Sequence, residues 1–152
     1  MDREQKRMAR IFALKMAYAY EMTNQDDSLV DGNINIDNSL NEQSEDVVVY
    51  SKKIVNTCVE NIKDIDSLIT SKSANWDINR IAFIDKIIIR LALTEMMYFD
   101  EVPPKVSIVE AVEISKEFST KDSSSFINGI LDSIYNENNM AVFKGKDTPL
   151  NN

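Results

Sequence analysis

The sequence predicts an all-α protein, a compact bundle of about five to seven helices, and three observations carry that expectation. Apolar residues recur every three to four positions through most of the chain, the period of a helix with one buried face. Only three glycines and three prolines stand among 152 residues, too few for the tight turns of a β architecture. Short polar residues suited to capping helices precede several of the apolar runs. With 43% hydrophobic and 28% charged residues, a chain of this length can bury a core of its own.

The first helix is expected from Arg3 to Met22, with Met8, Ile11, Phe12, Met16 and Ala19 on its buried side. At about 100° per residue, Arg3, Lys6, Arg7 and Arg10 project within one arc of roughly 100°, while Lys15 points elsewhere. Such a stripe is either a solvated face or a surface for a polyanion. Residues 23–44 are polar and acidic and read as a long loop. A second helix is expected from Glu45 to Thr70, burying Val48, Ser51, Val55, Cys58, Ile62, Ile65 and Ile69, with a break over Lys72 to Asn75.

Asp77 is placed to cap a third helix, Ile78 to Phe99, and Trp76 before it would close over the core. Ile84, Ile87, Ile88, Leu91, Ala92 and Met96 give that helix a wide apolar stripe and the central place in the bundle. Pro103 and Pro104 then force a turn. Val106 to Asp132 reads as two short helices around a polar hinge, Ser119-Thr120-Lys121-Asp122. A Ser107/Glu110 capping box opens the first, and Asp122 caps the second. Ile108, Ala111, Val112 and Phe118 share one face of the first, and Ile127, Ile130, Leu131 and Ile134 one face of the second. Gly129 inside that last helix costs about 1 kcal/mol relative to alanine, for which close packing against another helix is the expected reason. From Asn136 the chain reads as a frayed tail.

The charge pattern and the missing residue types narrow the function. Net charge is −8, which disfavours strong non-specific binding to nucleic acid. Its distribution is uneven: residues 1–20 balance at +3, whereas residues 24–50 hold seven acids and no base. The absence of histidine removes the commonest general base and metal ligand. Cys58, the single cysteine, precludes an internal disulfide, suits a reducing cytosol and reads as a packed small hydrophobe. Gly32, Gly129 and Gly145 stand apart, so no glycine-rich phosphate loop is present. The acid pairs Asp64/Asp66 and Glu110/Glu113 read as surface helical charges. No apolar run is long enough to span a bilayer, and the charged N-terminus is unlike a signal peptide. A cytoplasmic, non-enzymatic protein without a metal or cofactor is expected.

One cluster stands out. Phe118, Lys121, Asp122, Ser125, Phe126 and Asn128 crowd around the second hinge. Aromatic faces, a cation and short polar groups suit an unstacked base and its phosphate. The same residues also fit a plainer arrangement, with both rings in the core and the rest solvated.

Two blocks carry a family pattern. KRMARIFALKMAYAYEM shows A-R-x-x-A-x-x-x-x-Y at Ala9, Arg10, Ala13 and Tyr18. IDKIIIRLALTEMMYFDEVPPKVSIVEAVEISKEFSTKDSSSFINGILD sets Arg90, Glu95, Pro103, Lys105, Glu110, Phe118, Asp122, Phe126, Asn128, Gly129, Leu131 and Asp132 in a second, longer pattern. Both blocks resemble the NusB family of bacterial transcription antitermination factors. The resemblance implies two small helical subdomains in a single RNA-binding domain over 1–136, with a flexible tail over 137–152. It implies binding of boxA-type single-stranded RNA in nascent ribosomal transcripts together with the ribosomal protein NusE. That pair would join an RNA polymerase antitermination complex that suppresses premature termination, with the chain itself a monomer or homodimer.

Carried over by position, Lys6, Arg7 and Arg10 would meet RNA phosphates, and Phe118, Lys121, Asp122, Ser125, Phe126 and Asn128 would line the RNA surface. Asp85 matches an acidic position on the family's NusE-facing helix, and the partner surface would continue from Glu95 to Lys105. Met8 interrupts what is often a continuous arginine run, removing one phosphate contact. The acidic body implies weak affinity without the partner. The alternative is a helical adaptor with little RNA contact, using Met96, Met97, Tyr98 and Phe99 as its surface.

Overall fold

The structure, a computed structural model, describes residues 1–23, 43–71 and 78–142, with side chains placed up to residue 137. The acidic stretch over 24–42, Trp76, Asp77 and residues 143–152 lie outside the described part. Regular structure among the described residues is helical throughout, as the apolar period predicts. The chain divides into two compact units, Met1–Glu60 and Asn61–Asn152.

In the first unit α1 (Arg3–Met22) packs on α2 (Glu45–Glu60). Helix α1 starts where expected because Asp2 and Gln5 form a reciprocal cap. The Gln5 N–H donates to Asp2 Oδ1 at 2.8 Å, and the Asp2 N–H donates to Gln5 Oε1 at 3.0 Å. Two N–H groups that the helix leaves unpaired are thereby satisfied. Ala9, Phe12, Ala13, Leu14, Met16 and Tyr20 are buried, whereas Met8 is exposed. Helix α2 buries Val47, Tyr50, Ser51, Ile54, Val55 and Cys58, so the lone thiol is a core group.

The expected long second helix is interrupted. Helix α2 ends at Glu60, Asn61 makes a turn, and α3 (Ile62–Ser71) begins a new rod in the second unit. Of the buried face expected for that single helix, Ser51, Val55, Cys58, Ile65 and Ile69 are enclosed, while Val48 and Ile62 are only half-buried.

In the second unit Ile78–Arg80 form a 3-10 turn rather than the start of the third helix. Extended backbone at Ala82 then leads into α4 (Phe83–Tyr98). Helix α4 packs against α3, α5 (Pro104–Phe118) and α6 (Lys121–Val142). Neighbours on several sides explain why Ile87, Ile88, Ile89, Leu91, Leu93 and Met96 are all buried, beyond a single stripe. Helix α5 starts three residues earlier than the predicted cap. Pro104 occupies its first position, where a missing N–H costs nothing. Ser107 therefore lies inside the first turns, and its hydroxyl donates to Glu95 Oε1 at 3.0 Å in the interior. The Ser107/Glu110 capping box is not formed, and Glu110 is buried rather than a surface charge.

Asp66, also expected on the surface, is clasped by Arg90: Nε and Nη2 each donate to one carboxylate oxygen at 2.8 Å. Helix α6 is capped by Thr120, whose Oγ1 accepts from the Ser123 N–H at 3.1 Å. Asp122, the predicted cap, sits in the first turn instead. Helix α6 continues through residues 136–142, so the expected frayed tail does not begin at Asn136. No helix among the described residues is long and apolar enough to cross a membrane.

Candidate RNA interface

The hinge cluster comes together at the junction of α5 and α6. Helix α5 ends at Phe118, and Ser119 takes extended backbone (φ −135°, ψ −151°) while its N–H still donates to the Ser115 carbonyl at 2.8 Å. Two residues later α6 begins, so Phe118 lies at one lip of the turn and Lys121 and Asp122 at the other. Ser125, Phe126 and Asn128 follow within the next two turns of α6. Lys121, Asp122, Ser125 and Asn128 are exposed, and both phenylalanines are half-buried. Neither phenylalanine is fully buried. An open groove of about 470 Å³ runs beside the hinge, lined by Val112, Lys116, Lys121, Ser124, Ser125 and Asn128.

Hydroxyl groups hold this junction in place. Ser119 Oγ donates to Asp85 Oδ1 of α4 at 2.7 Å, committing its only proton. Its 2.9 Å contact with Ser123 Oγ then requires Ser123 to donate, and Thr120 Oγ1 in turn lies 3.0 Å from Ser123 Oγ. Thr120, Ser123 and Ser119 thus pass donors toward one buried carboxylate, an arrangement in which each bond polarises the next. A second pin joins α5 to α6, with Ser115 Oγ and Ser124 Oγ 2.8 Å apart in the interior. The sequence leaves the hinge either an RNA surface or a solvated turn, and neither reading includes these hydroxyl contacts. The signal that would have found them is the density of Ser and Thr from Ser119 to Ser125 beside a buried acid.

The basic residues of α1 belong to the first unit. Arg3 is exposed, and Lys6 and Arg7 are half-buried. Arg10 is only 8% exposed, so the stripe offers fewer open cations than its spacing suggests. Lys15 sits over the Phe12 ring, 5.5 Å from its centre. Of the residues expected to face a protein partner, Asp85 is 4% and Glu95 2% exposed, and their carboxylates are turned to Ser119 and Ser107. Lys105 alone of the three is exposed, next to exposed Val106 and Val109. Met96 and Phe99 are core residues, which removes half of the apolar surface suggested for an adaptor. No group of three Cys, Asp or Glu among the described residues is placed to hold a metal ion.

A model of the NusB family matches residues 7–136. The chain belongs to the NusB family. A transcription antitermination protein NusB of Chloroherpeton thalassium is 45% identical over 133 residues, 87% of this chain and 62% of the relative. The NusB of Thermodesulfovibrio yellowstonii is 35% identical over 139 residues, 87% of this chain and 92% of the relative. The chain thus spans less than two thirds of the first relative and nearly all of the second. Among solved structures, T. maritima NusB superposes with a TM-score of 0.77 at 30% identity, covering 90% of this chain and 94% of that one. A NusB solved with NusE and double-stranded RNA shares the fold at 23% identity, with a TM-score of 0.78 over 90% of this chain and 99% of that one. The hinge lies within the matched span, and the all-helical architecture is that of the NusB structures.

Proposed function

We propose that this chain is a non-catalytic, cytoplasmic antitermination factor that holds boxA-type single-stranded RNA jointly with the ribosomal protein NusE. Through that complex on RNA polymerase it suppresses premature termination of nascent ribosomal transcripts. The observation that carries this reading is the hinge, where half-buried Phe118 and Phe126 stand beside exposed Lys121, Asp122, Ser125 and Asn128. Aromatic rings next to a cation and polar groups suit base stacking, worth about 1–3 kcal/mol per base, with a phosphate alongside. The designation of the relatives as transcription antitermination proteins supports the process. Lys6 and Arg7 supply further phosphate contacts from α1, with Arg10 contributing less because of its burial. The protein partner meets the open side of α5 at Lys105, Val106 and Val109, while Asp85 and Glu95 act from within.

Titration of a labelled boxA-type RNA, alone and with NusE, tests this. Binding is expected to be weak alone and stronger with NusE. Three cations, Lys6, Arg7 and Lys121, at about 0.7 per single-strand contact predict a log–log salt slope of about −2. Changing Lys6 and Arg7 together to glutamate should cut affinity at least about tenfold and flatten that slope toward about −0.7, with helicity unchanged. Equal affinity for boxA-type and scrambled RNA, with and without NusE, would overturn the proposal.

A further inference from the structure

Gly129 lies in the interior of α6, where glycine is a poorer choice than almost any residue but proline. The usual reason for tolerating it, a neighbour too close for a side chain, does not hold. A Cβ built on Gly129 meets nothing within 4 Å among the described residues, and the residue is exposed. Its backbone is helical, so no left-handed conformation calls for glycine either. Nothing among the described residues accounts for the missing side chain.

Its position along the helix does. At about 100° per residue, Lys121, Asp122, Ser125, Asn128, Gly129 and Asp132 fall within an arc of roughly 120°, and all six are exposed. Gly129 sits on this face one turn beyond Ser125, with Asp132 a further turn on. We infer that Gly129 keeps the surface of α6 bare so that the RNA strand lies directly against its backbone, extending the site past Asn128 to Asp132. This rests on the RNA-binding reading and adds to it the path and the orientation of the strand. Asp122 and Asp132 are acceptors only and repel phosphate. The groups laid along Gly129 are therefore donors, ribose 2′-hydroxyls and base amino edges, while phosphates turn toward Lys121.

The test is Gly129→Ala, because the inference requires stability and binding to move in opposite directions. Thermal unfolding should shift upward by about 2–4 °C, since alanine favours the helix and has open space. Affinity for boxA-type RNA in the presence of NusE should fall by a factor of about 5 to 150, the loss of one nucleotide's contacts. The salt slope should stay at the wild-type value, as no cation is touched. Wild-type affinity in the alanine variant would overturn the inference and leave the proposed function standing. A lowered melting temperature would overturn it by making the glycine structural. Weaker association with NusE at unchanged direct RNA affinity would overturn it in favour of a protein contact. If the unaltered chain shows no preference for boxA-type RNA, the functional reading itself fails and this inference falls with it.

Discussion

The Asp66–Arg90 pair allows a sharp test of what holds the second unit together. Two donors of one guanidinium reach two oxygens of one carboxylate, both at 2.8 Å, tying α3 to the central helix α4. The Arg90 side chain is 11% and the Asp66 side chain 29% exposed, so the pair is neither a surface ion pair nor a fully enclosed one. Exposed pairs contribute about 0–1 kcal/mol, and removing one member of a buried pair costs about 3–5 kcal/mol. The carboxylate's partial exposure discounts the upper figure, while the near-buried guanidinium keeps the loss well above the lower. Asp66→Ala is therefore expected to cost about 2 kcal/mol, in the range of charge-assisted hydrogen bonds. Asp66→Asn, which keeps one acceptor, should lose about half of that. Urea unfolding followed by circular dichroism reads this as a lower midpoint at an unchanged slope. Addition of 1 M salt should weaken the wild type little, because most of the contact is shielded from solvent ions. A midpoint within error of wild type for Asp66→Ala would show that the pair is only a surface ornament and refute the estimate.

Two further substitutions separate the caps that form from the one that does not. Asp2→Ala should cost about 1 kcal/mol and fray the start of α1, seen as faster amide exchange at Gln5, because the Asp2/Gln5 box is real. Ser107→Ala should cost about 1–3 kcal/mol by taking a donor from the buried Glu95 carboxylate, while exchange in the first turn of α5 stays as in wild type. Equal fraying of α5 would restore Ser107 as a cap.

The helices were legible where local chemistry decides them, and less so where neighbours do. The apolar period placed α1 at Arg3–Met22 and put Ile87, Ile88, Leu91 and Met96 in the core. The turn at Asn61 has no proline or glycine to announce it, so two helices in different units read as one. Ser107 and Glu110 carry the spacing of a capping box, but Pro104 three residues earlier already starts the helix and carries both inward. At the hinge, residue types indicated a place for aromatic and polar contacts. They did not indicate that Ser119 would spend its proton on Asp85, since a contact across 34 residues leaves no local period. The α1 stripe illustrates the same limit, as angular spacing gives a direction around one helix but not the burial of Arg10.

The same distinction resolves the tension between a net charge of −8 and the proposed RNA ligand. Repulsion depends on which acids face the strand, and several in the second unit do not. Asp85 and Glu95 are buried and take donors from Ser119 and Ser107, Glu110 is buried, and Asp66 is held by Arg90. These groups act as scaffold: Asp85 in particular fixes the turn that sets Phe118 at one lip and Lys121 at the other. Asp122 and Asp132, exposed on the face of α6 proposed for RNA, stand where the strand would present donors rather than phosphates. On the proposed function, affinity would come mainly from stacking and base or ribose contacts, with few phosphates neutralised. A binder built this way tolerates an acidic composition, and the proposed function expects of it a shallow salt dependence and an RNA affinity raised by NusE.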